Sequence, residues 1–127
     1  MSDLFDDADL IHPYTRAQAI ADGVLIDVSA TARDAGIHFP VALTRAVWDR
    51  CVEVPPSVEC QDEASRLWDL LYLLRVAIGA SSGGSTLLYR LYVRNDNRRP
   101  KPVTLKAVCG PGDDAAPVLT VMRTTED

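Results

Sequence analysis

Histidine and cysteine are scarce in this chain: two histidines, His12 and His38, and three cysteines, Cys51, Cys60 and Cys109, occur in 127 residues. No two of these five lie within four positions of each other. Structural zinc sites pair their ligands two to four residues apart, because one turn then delivers both to the same ion. No metal and no cofactor are therefore expected. An odd set of cysteines without a CxxC pair reads as free thiols in a reducing compartment rather than a disulfide framework. No apolar run approaches the roughly 20 residues that span a bilayer. The opening residues, Met1 to Asp7, are acidic where a secretory leader would be basic and then apolar. A cytoplasmic location without a membrane partner is the expectation.

Catalytic motifs are missing too. Cys51 with His38, or Ser81 with His12 and an aspartate, can be paired on paper, but neither pair sits in a motif with a structural rationale. The glycine-rich stretch 81–85 follows a helical pattern and precedes a strand, the reverse of the order that sets a phosphate on a helix N-terminus. The other, 110–113, runs into Asp113 and Asp114, which repel phosphate. Both read as turns, and the chain is not expected to be an enzyme.

What is present is the make-up of an ordinary globular domain, with 47% apolar and 24% charged residues. Residues 1–9, four of them aspartate, read as a flexible acidic tail ahead of one domain over 10–127. Thr15 is a good N-cap for a short helix that Gly23 stops, and 24–28 then reads as a short strand. Ser29 or Thr31 caps a further turn that Gly36 ends. After Pro40, the spacing of Val41, Leu43, Val47, Trp48 and Cys51 predicts a helix over roughly 41–53. The longest helix is expected over about 62–78. Its apolar residues cover most of the circumference, which makes it central, and Asp62 pairs with Arg66 four residues on.

Strict alternation follows. Leu87, Tyr89, Leu91 and Val93 interleave with Leu88, Arg90, Tyr92 and Arg94, and Val103, Leu105 and Ala107 interleave with Thr104 and Lys106. A third strand covers 118–122. The fold class is α+β: helices packed on a small antiparallel meander, with 24–28 available as an extra strand at one edge.

Charge is unevenly spread. Residues 1–85 hold 13 acidic and 6 basic side chains, whereas 86–107 hold six cations against Asp96 alone. The cluster Arg90, Tyr92, Arg94, Arg98, Arg99 and Lys101 is the candidate partner-binding surface, with Lys106 across from it. Cations alternating with an aromatic on one strand face suit an acidic protein surface, or the phosphates and bases of a nucleic acid. The bland reading is a solvated face whose charges keep a strand edge from aggregating. The acidic residues, from Asp3 to Asp9 and at Asp113, Asp114, Glu126 and Asp127, allow the opposite design, an anionic surface for a nucleic-acid-binding protein, or simple solubility.

One further likeness is carried by particular residues. The segment Leu10 to Val28, with Phe39-Pro40-Val41-Ala42-Leu43-Thr44, Val47-Trp48, Gln61-Asp62-Glu63, Leu67-Trp68-Asp69, Val103-Thr104-Leu105-Lys106 and Gly110-Pro111-Gly112-Asp113, resembles a family of short bacterial proteins of unknown function. That family is carried on plasmids and integrative conjugative elements. The stretch from Pro55 to Glu59 is shorter than in that group. The resemblance implies a mobile-element accessory protein acting by stoichiometric binding. In such a setting the partner is a host protein or protein–RNA complex, and the role is inhibition of a host defence system such as a CRISPR effector or restriction. Nucleic-acid binding through hairpin 86–107 is the alternative. No catalytic residue comes with the resemblance.

Overall fold

The computed structural model describes residues 14–126. The acidic segment 1–9 and His12 lie outside the described residues. Thr15 opens the first helix, α1 (Arg16–Ala21), through a capping box. Its hydroxyl accepts the Gln18 N–H at 3.0 Å, and the Gln18 side chain accepts the Thr15 N–H at 2.8 Å. Gly23 ends the helix at φ +77°, a left-handed conformation that a side chain disfavours. Strand β1 (Leu25–Asp27) falls within the expected 24–28, and helix α2 (Ser29–Asp34) follows it. The expected cap does not form: Val28 stands at the N-cap without a side-chain bond, and Ser29 and Thr31 lie inside the helix, where Ser29 donates to Asp27 Oδ1 instead. Gly36, at φ +98°, closes α2.

The expectation of a helix over 41–53 is overturned in its first third. Val41–Thr44 is a strand, β2, and the helix α3 (Arg45–Val47) begins only after it, running on as a π-helical turn over Trp48–Val52. Val41, Ala42 and Leu43 are buried on both faces of the sheet. A continuous apolar run of that kind fits an interior strand as well as a helix, and periodicity alone does not separate them. Thr44 marks the switch: its side chain accepts the Val47 N–H at 3.3 Å, an N-cap.

Helix α4 (Glu63–Ala80) is capped by Asp62, whose carboxylate accepts from the Ser65 N–H at 2.8 Å and the Ser65 hydroxyl at 3.0 Å. The expected Asp62–Arg66 pair does not form: Asp62 serves the cap, and Arg66 turns inward. Nor is α4 buried all round. Leu70, Leu71 and Leu74 face the core, while Trp68, Tyr72, Leu73 and Val76 are exposed, because α4 forms an outer layer against one face of the sheet.

Strands β3 (Thr86–Val93), β4 (Lys101–Pro111) and β5 (Pro117–Arg123) form the expected antiparallel meander. The full order is β1-β2-β5-β4-β3, with β2 parallel to β5 and β1 antiparallel to β2 at the edge. The chain is thus an α+β fold on a mixed, mostly antiparallel sheet. Val41, Leu43, Leu105, Val121 and the inward residues of α2, α4 and the π-turn make one core on one face. Helix α1 lies on the other face. There Arg16 donates to the Thr120 hydroxyl and the Leu119 carbonyl, both at 2.7 Å, and Ala19, Val118 and Met122 are buried outside the main core. No helix of the described residues is long and apolar enough to cross a membrane.

Candidate binding surface

Among the described residues, α1 covers the second face beside β1 and β5, and no element covers the β4–β3 side. Alternation decides which residues it shows. Tyr89, Leu91 and Val93 point into the core, with the Tyr89 hydroxyl donating to the Leu70 carbonyl at 3.2 Å. Burial pushes that phenol well above its ordinary value. Leu88, Arg90 and Tyr92 take the opposite face, and Leu88 and Tyr92 are 62% and 64% exposed. Across the ladder Arg90 stands beside Thr104, Tyr92 beside Pro102, and Lys106 beside Leu88.

The expected cluster is only partly assembled. Arg90, Tyr92, Arg98, Arg99 and Lys101 are exposed, but they do not share one face. Lys101 lies opposite Val93, on the parity of the core-facing residues at the end of the sheet, and Arg98 and Arg99 belong to the turn. Arg94 is partly exposed but engaged. It lies one residue beyond β3, and its guanidinium donates to Asn97 Oδ1 at 3.1 Å and to the Glu59 carbonyl. Lys106 is likewise engaged, donating to the Glu126 carbonyl at 2.8 Å.

Arg66, which the sequence spacing pairs with Asp62, is what holds that turn in place. Only 7% exposed, it donates to Gln61 Oε1 at 3.0 Å, the Glu53 carbonyl at 3.0 Å, Asn95 Oδ1 at 2.8 Å and the Arg94 carbonyl. None of these four acceptors is a carboxylate. Burial lowers the guanidinium from its ordinary value, yet arginine keeps its proton at any physiological pH. Asn95 donates to the Arg50 carbonyl at 2.7 Å, and Asn97 donates to the Ser57 carbonyl at 2.8 Å. The β3–β4 turn is therefore sewn to the loop 53–61 and presents Arg98 and Arg99 from a fixed base. The sequence signal for this was the asparagine pair flanking Asp96, whose side chains accept and donate at once.

The candidate chemistry of the remaining groups is modest. Cys51 is buried and its thiol is pushed up by that burial, the wrong direction for a nucleophile, while His38 is exposed. Among the described residues no three His, Cys, Asp or Glu side chains are grouped to hold a metal ion. A cavity of about 130 Å³ sits beside Tyr92, lined by Arg66, Asp69 and Arg94 among others. An apolar cavity of about 200 Å³ lies between the end of α4, the 81–85 loop and Cys109.

Fold and surface together define an α+β protein whose mixed sheet, among the described residues, is left uncovered along one edge. The chain belongs to a family of unknown function, DUF6573, whose model matches residues 1–127. No curated protein and no solved structure matches it.

Proposed function

We propose that this chain works by stoichiometric binding of a protein partner through the bare face of β3 and the adjoining turn, and that it performs no catalysis. One observation carries the reading. Leu88 and Tyr92, both more than half exposed, flank Arg90 on a sheet face that no element of the described chain covers. Apolar and aromatic groups around a cation are the composition of an interaction hot spot rather than of a solubilising surface. The mobile-element setting implied by the resemblance adds a target class: a host defence complex, such as a CRISPR effector or a restriction system, which the protein would inhibit.

Direct nucleic-acid binding is the second reading, supported by Arg90 and Tyr92 sharing one face, where a base could stack. The engagement of Arg94 and Lys106 with backbone carbonyls weakens it, since two of the six cations of 86–107 are already occupied. Affinity capture from host lysate, with and without nuclease, separates the two. A single partner retained in equimolar amount after nuclease, and lost when Arg90, Arg98 and Arg99 are changed to glutamate, supports protein binding. Partners that vanish with nuclease, with an affinity falling steeply as salt rises, support the second.

A further inference from the structure

We infer that β3 receives an extended segment of the partner as an added strand, and that this segment carries an acidic side chain flanked by apolar ones at two-residue spacing. The inference rests on the binding reading above and specifies its geometry.

Strand β3 ends the sheet order, so one of its two sides has no neighbour among the described residues. Which backbone groups face that side follows from one bond outside the strand: the Cys109 N–H donates to the Ser85 carbonyl at 2.7 Å. In an antiparallel ladder, hydrogen-bonded and non-bonded pairs alternate. The register therefore turns Leu87, Tyr89, Leu91 and Val93 toward β4, and turns the N–H and C=O groups of Thr86, Leu88, Arg90 and Tyr92 toward the open side. The same four residues place their side chains on the bare face. One set of residues thus offers both the backbone template and the recognition groups.

Proteins blunt a sheet edge by keeping it short, by proline, by a bulge or by inward charge. The opposite edge, β1, is blunted by length, with three residues. Strand β3 is eight residues long, holds no proline and pairs with β4 without a bulge from Thr86 to Val93. Its one guarding charge, Arg90, stands between exposed Leu88 and Tyr92. Charge selects the occupant. Arg98, Arg99 and Lys101 lie at the end of the same hairpin, so a basic segment or a second copy of β3 brings like charges together. An acidic residue across from Arg90, with apolar residues across from Leu88 and Tyr92, satisfies all three positions.

The test uses the full chain and a short capped peptide, Thr-Val-Thr-Glu-Thr-Val-Thr, with a lysine-for-glutamate counterpart. Amide hydrogen exchange is read by NMR. The glutamate peptide is expected to slow exchange at Leu88, Arg90 and Tyr92 about tenfold, a local protection, while the lysine peptide leaves it unchanged. Leu88→Pro removes an outward N–H that the ladder does not use, so it should abolish protection with the fold retained. Arg90→Glu, which carries no backbone risk, should exchange the preferences of the two peptides. Equal protection by both peptides, no protection by either, or self-association that protects β3 without peptide overturns the proposal. Partner capture distinguishes the two readings. Capture lost in Arg90→Glu but kept in Leu88→Pro overturns strand addition and leaves binding standing, whereas capture kept in both overturns the binding reading as well.

Discussion

Arg66 donates to the side-chain oxygen of Asn95 at 2.8 Å, joining the first turn of α4 to the turn between β3 and β4. Twenty-nine residues separate them in the chain, and the bond is one of four that the guanidinium makes to neutral oxygens. Replacing Arg66 with alanine leaves the Glu53 and Arg94 carbonyls and Asn95 without a donor. We expect a loss of roughly 2–4 kcal/mol, measured by urea denaturation. Lysine at this position should recover little, because a single ammonium cannot reproduce the planar fork.

The cations of the hairpin should separate into two kinds. Arg94→Glu breaks the bonds to Asn97 and the Glu59 carbonyl, so it should lower the thermal midpoint. Arg90→Glu, Arg98→Glu and Arg99→Glu should each change stability by no more than about 0.5 kcal/mol while weakening partner capture. A thermal melt beside a capture assay on the four single variants tests this.

Asp113 ties the β4–β5 turn to the start of α1, accepting the backbone N–H groups of Arg16 and Ala17 at 2.9 and 3.0 Å. These bonds, the Ala17 one first, hold its carboxyl below the ordinary carboxylate value. A carboxyl depressed in the folded state binds its proton less readily there than in the unfolded chain. Its contribution to stability is therefore complete above the unfolded value, about 4, and disappears as pH falls through the lower folded one. The thermal midpoint of Asp113→Asn should fall less between pH 5 and pH 2 than that of the parent, by calorimetry across that range.

Leu43 is wholly buried in β2 between β1 and β5. Leu43→Ala should destabilise by about 3 kcal/mol, and Tyr89→Phe, which loses only the bond to the Leu70 carbonyl, by about 1 kcal/mol. Denaturant midpoints for the two variants should keep that order.

Trp68 is 41% exposed and stacked on Tyr72, with ring centroids 6.5 Å apart, while Trp48 packs partly buried against the core. Acrylamide should quench a fluorescence component that Trp68→Phe removes and Trp48→Phe keeps.

Local chemistry made much of this fold legible in the sequence. The capping residue Thr15, the stop at Gly23 and the two-residue alternation of 86–93 and 103–107 are all short-range signals. They set helix starts, strand faces and the meander from neighbours a few positions apart, and they delivered the α+β class and the exposure of Arg90 and Tyr92. Tertiary structure decided the rest. Val41-Ala42-Leu43 became a strand because β1 and β5 stand on either side to bond it, and no local pattern reports those partners. The outer half of α4 is exposed because only one layer lies beneath it, which apolar content cannot reveal. Arg66 and Arg94 look like surface charges in the sequence; the carbonyls that claim them arrive from loops many residues away. The open side of β3 is likewise a property of strand order, since alternation sets which face a side chain takes but not whether another strand lies beside it.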